Sequence, residues 1–173
     1  MRRFVAAVAA VAAVFVTGGA AVAQPDEVAT CGSADLDIGF GRVGGAAGTV
    51  YREVVFTNRG LHTCVLRGFP GVSYVDAEGD QVGAAAARVG ERGALLTLPH
   101  GGTATSDVGF AQVDNFDPDV CLKTPVWGIR VFPPDETVPL YLSLLDQPMD
   151  DQYGCAGDVS PFGNQLTAAS VRS

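Results

Sequence analysis

Glycine and proline punctuate this chain so densely that no stretch beyond its first two dozen residues can build a full helix. The 173 residues include 22 glycines and 10 prolines. A helix interior loses about 1 kcal/mol for each glycine and about 3 kcal/mol for each proline relative to alanine. The runs between these breaks are short, and many are β-branched, which suits strands. Val50 to Thr57, "VYREVVFT", is the longest. Its Val50, Val54 and Phe56 share one face at period two, with Arg52 as the exception. Leu36–Phe40, Thr63–Leu66, Val72–Val75, Gln81–Gly83, Leu95–Leu98, Thr103–Phe110, Val126–Phe132, Leu140–Leu145 and Gln165–Val171 read as further strands. Ala84–Ala87 reads as one helical turn and Asp114–Asp119 as an acidic loop. Some eight or nine of these ten segments counted as short strands, with turn signals about every ten residues, predict an all-β antiparallel β-sandwich. No repeat, linker or low-complexity tract divides the chain.

The N-terminus has a different character. Met1-Arg2-Arg3 is basic, Phe4 to Val16 is apolar and uncharged, and Ala21-Val22-Ala23 has the small-x-small form of a cleavage site. This layout predicts a secretory signal peptide over residues 1–23. The apolar run falls short of the ~20 residues a membrane span needs. The apolar run follows the arginine pair without a spacer, so ordinary export is expected rather than the twin-arginine route. Val28-Ala29-Thr30-Cys31 is a poor lipidation box, because Thr30 is bulky and Gln24–Glu27 separates it from the apolar run. A soluble product without a membrane span is expected, with residues 24–30 as a short lead-in and one domain over 31–171.

Removing residues 1–23 leaves 150 residues, enough for one real core. Two of the 11 basic residues leave with the signal, so nine face 19 acidic ones, a charge of −10. An acidic chain with one lysine and no basic run does not suit nucleic acid or anionic lipid. It suits a dissolved protein, here expected to be a monomer, in the medium or cell envelope.

Four cysteines, Cys31, Cys64, Cys121 and Cys155, on an exported chain predict two disulfides. Three pairings are open, and the sequence alone does not select one. Cys31–Cys64 with Cys121–Cys155 is the favoured pair, since each would tie neighbouring strands through loops of similar length. Zinc is not expected, because no C-x-x-C spacing occurs.

Several groups invite a chemical reading. His62 and Cys64 fall on one face of a strand, where a histidine could activate a thiol. Export favours a bridged Cys64 instead. His100 lies in the turn Pro99-His100-Gly101-Gly102, where a solvated side chain is expected. Asp114-Asn115-Phe116-Asp117-Pro118-Asp119 offers three carboxylates, but Pro118 stiffens it and the spacing is not that of a calcium loop. Asp150-Asp151 is a weaker suggestion of the same kind. No nucleophile elbow, phosphate loop or dinucleotide fingerprint occurs. Trp127, beside Val126 and Ile129, reads as a core ring rather than a carbohydrate platform. No catalytic residue, cofactor or metal is assigned.

The order of landmarks resembles a known family. Cys31 opens it, followed by "VVFTNRG" (54–60), "CVLRGFPGVSYVDAEGDQVG" (64–83), "LPHGGTA" (98–104), "CLKTPVWGIRVFPPDET" (121–137) and Cys155. This pattern resembles the domain of unknown function 4232 family of exported actinobacterial proteins and lipoproteins, over residues 31–171. Its most specific part is Asn58-x-Gly60 with Cys64-x-Leu66-x-Gly68-x-Pro70-Gly71-Val72. His100 departs from it, standing where the family more often has proline. The resemblance implies a small immunoglobulin-like sandwich exported to the envelope or medium, and it implies no activity.

Two functions are therefore expected to compete. One is a non-enzymatic binding or envelope-associated domain with an unidentified protein or envelope partner, touching it through Gly44–Gly48 and Asp114–Asp119. The other is a secreted hydrolase or metal-dependent enzyme using His62, His100 or the Asp114–Asp119 loop.

Overall fold

A computed structural model describes residues 28–145, 152–160 and 162–173. The expected signal peptide with its cleavage point, and the pair Asp150-Asp151, lie outside the described residues. Thirteen strands run through what is described: β1 (Leu36–Ala46), β2 (Thr49–Asn58), β3 (Cys64–Leu66), β4 (Gly71–Val75), β5 (Gln81–Val82), β6 (Ala87–Val89), β7 (Leu96–Leu98), β8 (Thr103–Ala111), β9 (Lys123–Pro125), β10 (Gly128–Phe132), β11 (Leu140–Ser143), β12 (Tyr153–Cys155) and β13 (Leu166–Ala169). A lone helix, α1 (Pro118–Cys121), follows a 3-10 turn at Val113–Asn115.

The all-β expectation holds. The count exceeds eight or nine because β6, β9 and β12, of three residues each, have no counterpart among the expected strands. Such fragments carry too little periodicity to stand out in sequence. β1-β2-β8-β13-β6 form one sheet, β11-β10-β4-β5 a second, and β12-β9 and β3-β7 make two small ribbons. Pairing is antiparallel except between β13 and β6, which run parallel.

Alternation explains how the two larger sheets meet. Val54 and Phe56 of β2, Val108 and Phe110 of β8, and Leu166 and Ala168 of β13 turn inward from the first sheet. Val72 and Tyr74 of β4 and Ile129 and Val131 of β10 meet them from the second. The Tyr74 and Phe110 rings sit 6.0 Å apart across this core. Each large side chain so buried contributes roughly 1.5–3 kcal/mol. Arg52, the exception in the β2 pattern, obeys the alternation after all. It is 1% exposed on the inward face. Its guanidinium lies 5.7 Å from the Phe40 ring centroid, and burial pulls its pKa below the ordinary arginine value.

Both disulfides form in the favoured arrangement, Cys31–Cys64 and Cys121–Cys155. The first ties the start of the domain to β3, where Cys31 N also donates to Val65 O at 2.9 Å. The second gathers a satellite core of Val113, Cys121, Cys155 and Val159 under α1.

Two local expectations are corrected. Ala84–Ala87 is not a helical turn: residues 84–86 form an irregular link from β5 of one sheet to β6 of the other, which begins at Ala87. Six residues between Gly83 and Gly90 cannot meet the cost of helix nucleation, and the Ala86 N–H goes instead to Val72 O at 2.8 Å. The acidic stretch is not a plain loop. Asp117 caps α1, accepting from Asp119 N at 2.9 Å, with Pro118 in the first turn. Asp followed by Pro is a helix-start signal in its own right. Among the described residues no helix is long and apolar enough to cross a membrane.

Candidate functional site

Asn58 organises the corner that holds His62, Cys64 and His100. The residue is 0% exposed at the end of β2. Its side-chain amide donates to His62 O at 2.9 Å and to Leu98 O at 2.8 Å, and its Oδ1 accepts from Gly60 N at 2.9 Å. The turn carrying His100 docks on the same residue, with Gly101 N donating to Asn58 O at 2.7 Å. His100 Nδ1 donates to Gly60 O at 2.9 Å, which places a proton on that nitrogen. Both histidine side chains are exposed, while the Cys64 sulfur is bridged and buried. The His62–Cys64 pair therefore lacks a free thiol. What the corner holds instead is a buried amide that closes two turns and β7 around one hub.

The acidic segment lies at the opposite end of β2. Asn115 Nδ2 donates to Gly48 O at 2.9 Å, joining this segment to the β1–β2 turn. Ala47 and Gly48 make that two-residue turn with positive φ at both positions, 47° and 79°, the tight form that suits twisted hairpins. Gly44 to Ala46, expected in a loop, belong to β1. A side chain at Gly48 would stand 2.5 Å from Asn115 Nδ2. The ten residues of β2 at about 3.3 Å each put roughly 30 Å between the histidine corner and this end. Two of the three carboxylates here have local partners. Asp114 meets Lys123 Nζ at 3.0 Å, and Asp117 holds the start of α1. Among the described residues no group of three or more His, Cys, Asp or Glu is placed to hold a metal.

Sequence reasoning missed two hollows. The first, of about 520 Å³, opens on the outer face of the five-stranded sheet. Gly109 of β8 lets its neighbours close over the strand: a Cβ there would meet Thr167 Oγ1 at 2.5 Å and the Tyr51 ring at 3.0 Å. Exposed Val43, Tyr51 and Val89 form its apolar wall. A charged rim completes it. Glu53 accepts from Arg42 Nη2 at 2.8 Å and Arg172 Nη2 at 3.0 Å, and Arg172 Nη2 also reaches Asp107 at 2.8 Å. The two arginines hold the Glu53 carboxyl well below the usual range, at about 2. Glu53 in turn raises both guanidiniums. Two cations and two anions leave the rim near neutral. A face of this kind can grip a surface through apolar contact and arginine hydrogen bonds.

The second hollow, of about 320 Å³, lies on the outer face of the four-stranded sheet. Trp127 lines it and is 50% exposed, contrary to its expected place in the core. The cause is a break in the strand period before β10. Val126 points inward and its N–H goes to Gln152 O, while Trp127 N donates to Val75 O at 2.9 Å. Two successive residues cannot both face the core, so the indole is left outside. Tyr141, 57% exposed on β11, stands on the same hollow. The turn Asp76–Gly79 supplies its acidic rim.

No curated protein and no solved structure matches this chain significantly. One family does match, described as Domain of unknown function (DUF4232), over residues 31–171. Those bounds run from the first bridged cysteine through the last strand, so they take in every element described above. With nearly all of its described residues inside that match, the chain belongs to the DUF4232 family.

Proposed function

We propose that this protein is an exported, non-enzymatic binding domain, an immunoglobulin-like sandwich that works in the medium or at the cell envelope of an actinobacterium. One observation carries the reading. The Tyr51 hollow lies on the outer face of the five-stranded sheet, over the half of β2 nearer the hairpin tip that Asn115 joins to the acidic segment. Exposed Val43, Tyr51 and Val89 are set there beside a hydrogen-bonded arginine and carboxylate rim. Apolar side chains framed by fixed polar groups are the ordinary make-up of a recognition face.

Two bridges suit an oxidising compartment outside the cytoplasm. Cys31 is fully buried and bridged, so its sulfur is committed to the fold rather than to a lipid. A secreted hydrolase or metal enzyme would need His62, His100 and the Asp114–Asp119 carboxylates in one cleft. The length of β2 separates the histidines from the acidic segment.

The test compares the bridged protein with a Tyr51→Glu, Val43→Asp variant for retention on cell-envelope fractions, with melting temperature as the folding control. Wild-type retention lost in a folded variant supports the reading. Equal retention of both proteins, or of neither, removes this face as the binding surface.

A further inference from the structure

The hollow beside Trp127 has a composition that selects its ligand by charge. Its walls are the Trp127 indole and the Tyr141 phenol, and its rim is the hairpin turn carrying Asp76 and Glu78. Among the described residues no lysine or arginine lines it and no cation pairs with either carboxylate. Arg130 is the nearest candidate in sheet register, directly opposite Tyr141. Its guanidinium is directed elsewhere, donating to Gln81 Oε1 at 2.6 Å and stacking 5.4 Å from the Phe132 ring centroid.

The turn is held in shape from within. Asp76 Oδ1 accepts from Glu78 N at 3.1 Å and from Asp80 N at 2.8 Å. The carboxylate is thereby held within the turn that lines the hollow. Aromatic faces attract cations through the negative face of the ring, and uncompensated carboxylates add to that attraction. A neutral sugar would want donors as well as acceptors around its hydroxyls, and this rim offers mainly acceptors. A primary ammonium is compact and strongly hydrated, so an open hollow would compete poorly with water for it. A methylated ammonium is weakly hydrated, packs its methyl groups on aromatic rings, and needs no donated hydrogen bond.

We propose that the Trp127–Tyr141 hollow binds a small quaternary ammonium group. The site lies on the other sheet from the Tyr51 face, so either proposal can fail without the other.

Trp127 is the single tryptophan in the chain and reports on its own site. The purified protein is titrated with choline at low ionic strength, and with 3,3-dimethyl-1-butanol, its uncharged isostere, while indole fluorescence is followed. A saturable change with choline is expected, with binding to the isostere weaker by roughly tenfold. Tyr141→Ala and Glu78→Gln, each folded by melting temperature, are expected to weaken choline by at least about threefold. Added salt weakens the choline response if the carboxylates contribute. Equal response to the isostere, saturation by N-acetylglucosamine instead of choline, unchanged affinity in both variants, or no saturable change would each overturn the proposal.

Discussion

Glu53 and Arg172 are 119 residues apart in the chain and 3.0 Å apart in the fold. Their contact fastens the C-terminal segment across β2 and β8, where Arg172 also exchanges backbone hydrogen bonds with Thr105 at 2.8 Å. The carboxyl titrates at about 2 in the folded protein, against about 4.3 in an unfolded chain. A carboxyl whose folded value is depressed stabilises the fold above its unfolded value. That contribution is lost as pH falls from about 4.5 toward 2. The melting temperature should therefore drop through this window, and less steeply in Glu53→Gln than in the wild type. Parallel curves for the two proteins, recorded from pH 6 to pH 2, would contradict the assignment.

Asn58 should be the least replaceable polar side chain in the corner. Its amide serves the His62 and Leu98 carbonyls and the Gly60 N–H from a fully buried position. Asn58→Leu matches its size but leaves those groups without partners, and each unsatisfied buried group costs about 1–3 kcal/mol. A loss on the order of 3 kcal/mol in urea unfolding is expected. His62→Ala and His100→Ala touch exposed side chains and should each cost less than about 1 kcal/mol. A neutral Asn58→Leu would sink this account.

That contrast shows what could be read from the residues. Asn58-x-Gly60 is legible as a turn, because Asn and Gly take turn geometry locally. The reach of the Asn58 amide to Leu98, 40 residues on, is tertiary and leaves no local mark. Arg52 was legible as an anomaly on an apolar face. The alternation was the better guide there, since its long stem can lie among apolar groups. The α1 start was written plainly as Asp117-Pro118 and was masked by the surrounding negative charge. The pairing of β6 with β13, residues 87–89 with 167–169, depends on a three-residue strand whose partner is fixed only by the packing of the whole sheet. Neither hollow was legible. Each arises where strands that are distant in sequence bring exposed side chains together.

Trp127 should behave as a surface residue. Its indole is half exposed, so its emission should be red-shifted and open to quenching by acrylamide in the native state. Trp127→Ala should cost less than about 1 kcal/mol. Phe110→Ala, which empties the contact with Tyr74, should cost about 3–5 kcal/mol. Blue, unquenchable emission would return the indole to the core and remove the hollow.

The Cys121–Cys155 bridge and Gln165 hold the same point of the chain, and their contributions should be coupled. Gln165 is buried, accepting from Cys155 N at 2.8 Å and donating to Cys155 O at 3.2 Å. The same amide nitrogen lies 3.3 Å from both Val82 O and Ala84 O, at the passage from β5 to β6. Replacing both cysteines with alanine releases a loop of 34 residues and should cost on the order of 3–4 kcal/mol. Gln165→Leu in the bridged protein strands several buried backbone groups and should cost about 2–4 kcal/mol. Without the bridge, the Tyr153–Cys155 strand has fewer ties and can leave its place. Gln165 then has less to lose, so the double change should cost less than the two single losses combined. Urea unfolding of the four proteins measures this coupling. Strict additivity would mean that the bridge and the amide secure the segment independently, and that β12 stays seated without its disulfide.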